Sequence, residues 1–229
     1  MELKQRIEQV EQRIWAACER SGRSREDIEL IAVTKYVSPV RTEEALQAGL
    51  LHIGENRWQD ARDKWDKLGA KGLGVWHFIG HLQSNKVKDV LDKFSYIHSL
   101  DRISLAKEIE KKATQMDITV KCFVQVNVSG EDTKFGLASE QVWTFFETIR
   151  DFEHITIEGL MTMAPYEVQP EDTRPVFSGL RNLRDELNER QALPYPVKHL
   201  SMGMSNDFEI AVEEGATFLR LGSVLVGQE

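Results

Sequence analysis

The chain repeats one pattern eight times, a short apolar run followed by an amphipathic segment, and few folds can absorb that many repeats. The apolar runs fall at residues 31–33, 51–55, 75–80, 96–100, 120–128, 155–163, 197–200 and 218–221, lengths suited to strands buried on both faces. The intervening segments have helical period and helix punctuation. Ser38-Pro39 reads as an N-cap and first helical residue for a helix ending at Gly49. Residues 57–68 place Trp58, Ala61, Trp65 and Leu68 on one face. A short helix is predicted at 84–91, and a helix capped by Asp101 carries Ile103, Ala106 and Ile109. Ser139 is expected to cap a helix with Trp143, Phe145 and Phe146, and Thr173 with Pro175 opens one bearing Phe177, Leu180, Leu183 and Leu187. The last helix is predicted over 206–214. Strict alternation of this kind predicts an α/β protein, a single (β/α)8 TIM barrel, whose closure leaves no exposed sheet edge. A doubly wound open sheet would show fewer strands and often a glycine-rich turn after the first, where this chain reads Lys35-Tyr36-Val37-Ser38-Pro39.

Ahead of the barrel, Leu3, Ile7, Val10, Ile14 and Ala17 form one apolar stripe of a helix that Gly22 ends. A helix of this length is expected to pack on its own domain, so the chain is expected to be a monomer. With 229 residues, 41% hydrophobic and 29% charged, it has the composition of one ordinary globular domain spanning 1–229. No apolar run approaches the roughly 20 residues of a membrane helix, and the amphipathic start is no secretion signal, so neither a membrane nor export is expected and the location should be cytoplasmic. A net charge of −8 argues against general affinity for nucleic acid. Cys18 and Cys122 lack metal-type spacing and read as buried thiols. His77 and His81 are four apart, but on a predicted strand, so no metal is expected. His52, His98, His154 and His199 lie in or beside strands and read as hydrogen-bonded structural histidines.

Chemistry centres on Lys35, at the carboxyl end of the first strand, where α/β folds bind ligands. A lysine amine partly removed from water gives up some of its preference for charge and becomes a nucleophile toward carbonyls. Barrels often bind phosphate in the loops after their last two strands. Here those loops are Ser201-Met202-Gly203-Met204-Ser205-Asn206-Asp207, leading into a helix N-terminus, and Gly222-Ser223. Taken singly, Ser205 or Asn206 reads better as a helix cap, and it is the pair of small-residue loops at the two expected places that points to phosphate. Arg220, on the eighth strand, needs either a neighbouring carboxylate or a ligand held by the phosphate loops. A Schiff-base lysine facing a phosphate cradle suits a phosphorylated aldehyde, of which pyridoxal 5'-phosphate is the common one. An aldolase acting on a sugar phosphate would use the same parts. Lys134 reads as a solvated loop charge, and Met161 and Met163 as core filling.

Several motifs, in order, resemble the YggS/PROSC family of pyridoxal phosphate homeostasis proteins. They are Ala32-Val33-Thr34-Lys35, Gly54-Glu55-Asn56-Arg57, Trp76-His77-Phe78-Ile79-Gly80, Leu82-Gln83-Ser84-Asn85-Lys86, Gly159-Leu160-Met161-Thr162-Met163, Ser201-Met202-Gly203-Met204-Ser205 with Asp207, and Arg220-Leu221-Gly222-Ser223. The resemblance runs from the first helix to the last strand. It implies a barrel like the cofactor domain of alanine racemase, with Lys35 bound to pyridoxal 5'-phosphate as a Schiff base and Arg220 facing the pyridine nitrogen. It further implies that residues 201–205 and 222–223 hold the phosphate, with Ser201, Gly203, Met204, Ser205, Gly222 and Ser223 as contacts, and that Asn56, His77 and Met161 line the pocket. The implied function is a cofactor carrier or buffer with no catalytic residue and no turnover, and with apo-enzymes that use the cofactor as possible recipients. The alternative is a racemase-like enzyme, which would need a second acid/base from another domain, whereas this chain stops a few residues after the eighth strand. Many members continue there with phenylalanine-glycine and a basic residue; this chain reads Val226-Gly227-Gln228-Glu229, so a role for that terminal arginine is not expected.

Overall fold

A computed structural model describes residues 2–131 and 134–227. Eight parallel strands close into a barrel: β1 (Glu29–Val33), β2 (His52–Glu55), β3 (Val75–Phe78), β4 (Tyr96–Leu100), β5 (Val120–Asn127), β7 (Ile155–Met161), β8 (His199–Ser201) and β9 (Phe218–Leu221). The strands pair in that order, β4 joins β5, and β9 pairs back onto β1 with Ile31 opposite Arg220. The predicted barrel is therefore present. The sequence pattern missed β6 (Leu137–Ala138), a two-residue strand beside the end of β5.

Helix α1 (Leu3–Ser21) buries Leu3, Val10, Ile14, Ala17 and Cys18, and Gly22 ends it in the left-handed conformation at φ 67°. Its buried face lies against α8 (Phe208–Glu213) and α9 (Ser223–Val226), so the predicted stripe is used within the chain. Each fully buried Val or Ile there is worth about 1.5–3 kcal/mol. The ring of helices continues with α2 (Pro39–Gln47), α3 (Trp58–Lys67), α4 (Val87–Val90), α5 (Ile103–Met116), α6 (Val142–Ile149) and α7 (Arg174–Glu189).

Several helix starts depart from prediction. Ser38 caps α2 as expected, its side chain accepting from the Arg41 amide. Asp101 does not cap α5; it pairs with Arg102 at 2.6 Å and lies 3.4 Å from His81. Ser139 opens a 3-10 turn that precedes α6, and Ser84 opens another ahead of the single turn of α4. Asn206 stays outside α8, which begins at Phe208, because Asp207 bends back to accept from the Met204 amide at 2.6 Å.

The barrel interior carries Ile31, Phe123, Met161 and Phe218, a separate cluster from the helix–sheet core. Cys18 and Cys122 are buried free thiols, and burial raises both pKa values.

Candidate functional site

The carboxyl mouth of the barrel opens into a cavity of about 560 Å³. Lys35, the second residue past β1, stands on one wall, its Nζ 4.9 Å from the centre of the Tyr36 ring. The turn that carries it is tied down from beneath. Lys64 on α3 donates to the Thr34 carbonyl and to Glu55 Oε1, and the Thr34 hydroxyl donates to the same carboxylate oxygen at 2.6 Å. All three side chains are buried, so this cluster fixes where the backbone releases Lys35 into the cavity.

On the adjoining strand lies Arg220, 4% exposed on β9. Nη1 donates to Ser201 Oγ at 2.7 Å and Nη2 to the Thr162 carbonyl at 2.9 Å. Both acceptors are neutral. Burial pulls the guanidinium pKa down to about 10, and nearby Asp207 works against that. Asp207 is itself raised, chiefly by burial, with the Met204 amide and Arg220 opposing.

Of the predicted residues, the fold brings Lys35, Asn56, Met204, Ser205, Arg220, Gly222 and Ser223 together around the cavity. Asn56 is held there by close backbone approach: a Cβ on Gly80 would fall 2.1 Å from the Asn56 carbonyl oxygen. Four predicted residues do not line the cavity. Ser201 is fully buried, its hydroxyl committed to Arg220 and His98. Gly203 faces away at φ 94°, where a Cβ would meet Ala211 at 2.6 Å. Met161 belongs to the barrel interior, since alternation on β7 puts it inside while Met163, beyond the strand end, reaches the cavity.

His77 is the fourth, and its surroundings were not legible in the sequence. It is fully buried between His52 and His98 on the two neighbouring strands. His52 Nδ1 lies 2.9 Å from His77 Nε2, His77 Nδ1 lies 2.9 Å from His98 Nε2, and His98 Nδ1 lies 2.8 Å from Ser201 Oγ. Desolvation keeps His77 and His98 far below the ordinary imidazole range, and it also lowers His52 against the pull of Glu29. The expectation that His52 and His98 are hydrogen-bonded structural residues holds, as it does for His154, which meets the Ile118 carbonyl, and His199, which meets Thr217.

Sequence reading passed over Gln125, Phe135 and Tyr166 as cavity residues; Gln125 lies on β5 and the other two in the loops that follow β5 and β7. Lys134 is not a free loop charge. It pairs with Glu131 at 3.0 Å and reaches the Met163 carbonyl at 3.4 Å. Phe135 stacks on His81 with centroids 4.3 Å apart and forms part of the rim. A second hollow of about 600 Å³ adjoins the first across Asn56, Gly80, His81 and Phe135.

A parallel barrel that presents a strand-end lysine and a strand-borne arginine to one cavity at its carboxyl mouth defines a class of proteins built on the alanine racemase barrel. The family described as "Alanine racemase, N-terminal domain" matches residues 9–229. A pyridoxal phosphate homeostasis protein of Aquifex aeolicus (strain VF5) is 45% identical over 98% of this chain and 97% of its own length. PipY of Synechococcus elongatus PCC7942, solved with PLP bound, is 30% identical, covers 99% of this chain and 100% of its own, and superposes with a TM-score of 0.85. Alanine racemase of Clostridium difficile 630 shares the fold at a TM-score of 0.71 and 15% identity, over 94% of this chain and 58% of its own. The chain belongs to the alanine racemase N-terminal domain family and, within it, to the pyridoxal phosphate homeostasis proteins.

Proposed function

We propose that the chain binds pyridoxal 5'-phosphate through Lys35 and serves in its intracellular homeostasis, holding the cofactor and handing it to apo-enzymes without amino-acid turnover of its own. One observation carries the reading: Lys35 and Arg220 face a single cavity whose rim holds Ser205, Asn206, Gly222 and Ser223. The donor set fits the group. Lys35 offers an amine to an aldehyde, small residues with hydroxyls offer hydrogen bonds to a phosphate, and Arg220 has spare guanidinium donors for a ring nitrogen. When bound, the cofactor supplies an aldehyde that condenses with an amine and a ring that can accept electrons. The phosphate is assigned to residues 204–206 and 222–223, with Ser201 and Gly203 supporting from behind. Asn56 lines the cavity directly, while His77 and Met161 act through the barrel interior. PipY, solved with PLP bound, and the names of the curated relatives support this reading.

Arg220 supports the reading that the chain does not turn over amino acids. A guanidinium with a pKa of about 10 is cationic at neutral pH and opposes a second positive charge on the ring nitrogen, which weakens the ring as an electron sink. The test is incubation of loaded protein with amino acids in deuterated water, together with transfer to an apo-enzyme. Transfer without α-proton exchange is expected. Enzyme-like exchange that Lys35→Ala abolishes would favour a racemase-like reading instead.

A further inference from the structure

Between the two mouths of the barrel runs an unbroken series of polar contacts that the proposed function does not use. It starts at Glu29, the first residue of β1, whose Oε2 lies 3.2 Å from His52 Nε2 and whose side chain is 53% exposed. It continues through His52, His77 and His98 to Ser201, each step 2.8 or 2.9 Å, and ends where Ser201 accepts from Arg220 at 2.7 Å. The rings cannot turn freely. His77 stacks on Tyr96 at 4.7 Å and 7°, and His98 on Phe123 at 4.2 Å and 12°.

The Glu29 end fixes a direction. Three neutral imidazoles carry one N–H each, and an ionised carboxylate can only accept. Glu29 therefore selects the Nε2–H form of His52, which leaves Nδ1 to accept from His77 Nε2. The same logic passes to His98, whose Nδ1 must accept the Ser201 proton. Ser201 then offers its lone pairs to Arg220, which can only donate. Burial keeps His77 and His98 uncharged, with one N–H each, as this order requires.

We infer that Glu29, at the amino-terminal mouth, is a remote positioning residue for Arg220. Through a one-directional relay of His52, His77, His98 and Ser201, it sets the orientation of the buried hydroxyl that the guanidinium meets behind the cavity. The orientation of a hydroxyl beside the cofactor-facing cation is thus decided at the opposite face of the barrel.

The relay is tested first in the cofactor-free protein, so that this arm is independent of the cofactor reading. Long-range 15N NMR of the imidazoles should show His52, His77 and His98 all as Nε2–H at pH 7.5. Glu29→Gln keeps an acceptor and should leave that pattern intact. Glu29→Lys presents only donors, so His52 should switch to Nδ1–H, and His77 and His98 should switch with it. Should Glu29→Lys not fold, Glu29→Ala is expected to give mixed tautomers at all three rings. A change confined to His52, with His98 unaltered in the Lys or Ala variant, overturns the inference, as does a native His98 in the Nδ1–H form. In protein loaded with pyridoxal 5'-phosphate, the visible band should move in Glu29→Lys and stay in place in Glu29→Gln. An unmoved band alongside switched tautomers overturns the link to Arg220 while leaving cofactor binding intact; no band in native protein counts against the proposed function alone.

Discussion

Arg220 Nη1 donates to Ser201 Oγ at 2.7 Å, so a cation on β9 is held by a hydroxyl on the neighbouring strand β8. Its other terminal nitrogen reaches the Thr162 carbonyl just past the end of β7. Three adjacent strands thereby agree on the position of one guanidinium. Its bonded acceptors in these contacts are neutral, so its charge is left for the cavity rather than spent on a carboxylate.

Ser201→Ala should therefore destabilise the fold as well as the site. It removes the partner of a buried charged donor, a loss of about 1.5–3 kcal/mol, and leaves His98 Nδ1 unpaired. Urea unfolding measures this. An unchanged midpoint would mean that another group satisfies Arg220.

Lys35→Ala should abolish the visible band of added pyridoxal 5'-phosphate and leave the unfolding midpoint close to native, since Lys35 lies at the cavity and outside the buried core. Borohydride reduction followed by peptide mass spectrometry locates the adduct in native protein. A pyridoxyl group on any lysine other than Lys35 sinks the assignment.

Ser205→Ala or Ser223→Ala should weaken binding of the phosphorylated cofactor. One hydrogen bond to a charged group is worth about 1.5–3 kcal/mol, roughly ten- to a hundredfold in affinity. Native protein should accordingly prefer pyridoxal 5'-phosphate over pyridoxal. Equal affinities in a titration would remove residues 204–206 and 222–223 from the phosphate role.

The buried Lys64–Glu55 pair, 2.8 Å apart, predicts a different signature. Lys64→Met strands the Glu55 carboxylate in the interior and should cost about 3–5 kcal/mol, whereas Lys64→Met with Glu55→Leu should recover much of that. Because Lys64 also holds the Thr34 carbonyl, the double variant should still bind the cofactor more weakly than native protein. Full recovery of both stability and binding would show that the cluster does not position Lys35.

Stability should fall on mild acidification. Burial holds His77 and His98 well below the unfolded value of about 6.5, so below that pH the unfolded chain takes up protons that the folded state refuses. Each such group contributes a loss approaching about 1.4 kcal/mol per pH unit, beginning as pH drops through about 6.5. Urea midpoints at pH 7.5, 6.5 and 5.5 provide the check. A flat profile would mean that the two imidazoles titrate in the fold as they do in the unfolded chain.

The sequence by itself determined the eight strands, the helix between each pair and the place of Lys35 at a strand end, because hydrophobic period is local and survives without tertiary context. It also marked Arg220 and the two small-residue loops by their distance from strand ends. Tertiary structure alone decided which residues of those loops face the cavity. Ser201 points into the barrel at Arg220, and Gly203, in the left-handed conformation, faces Ala211 on α8, whereas Met204, Ser205 and Asn206 line the cavity. Only the closed barrel could reveal the Glu29–His52–His77–His98 line. Those residues come from four neighbouring strands and share no sequence motif, and they meet because strand register stacks inward-facing side chains across the axis. Contacts between strands depend on register, and register is set by the whole packed sheet rather than by any one segment.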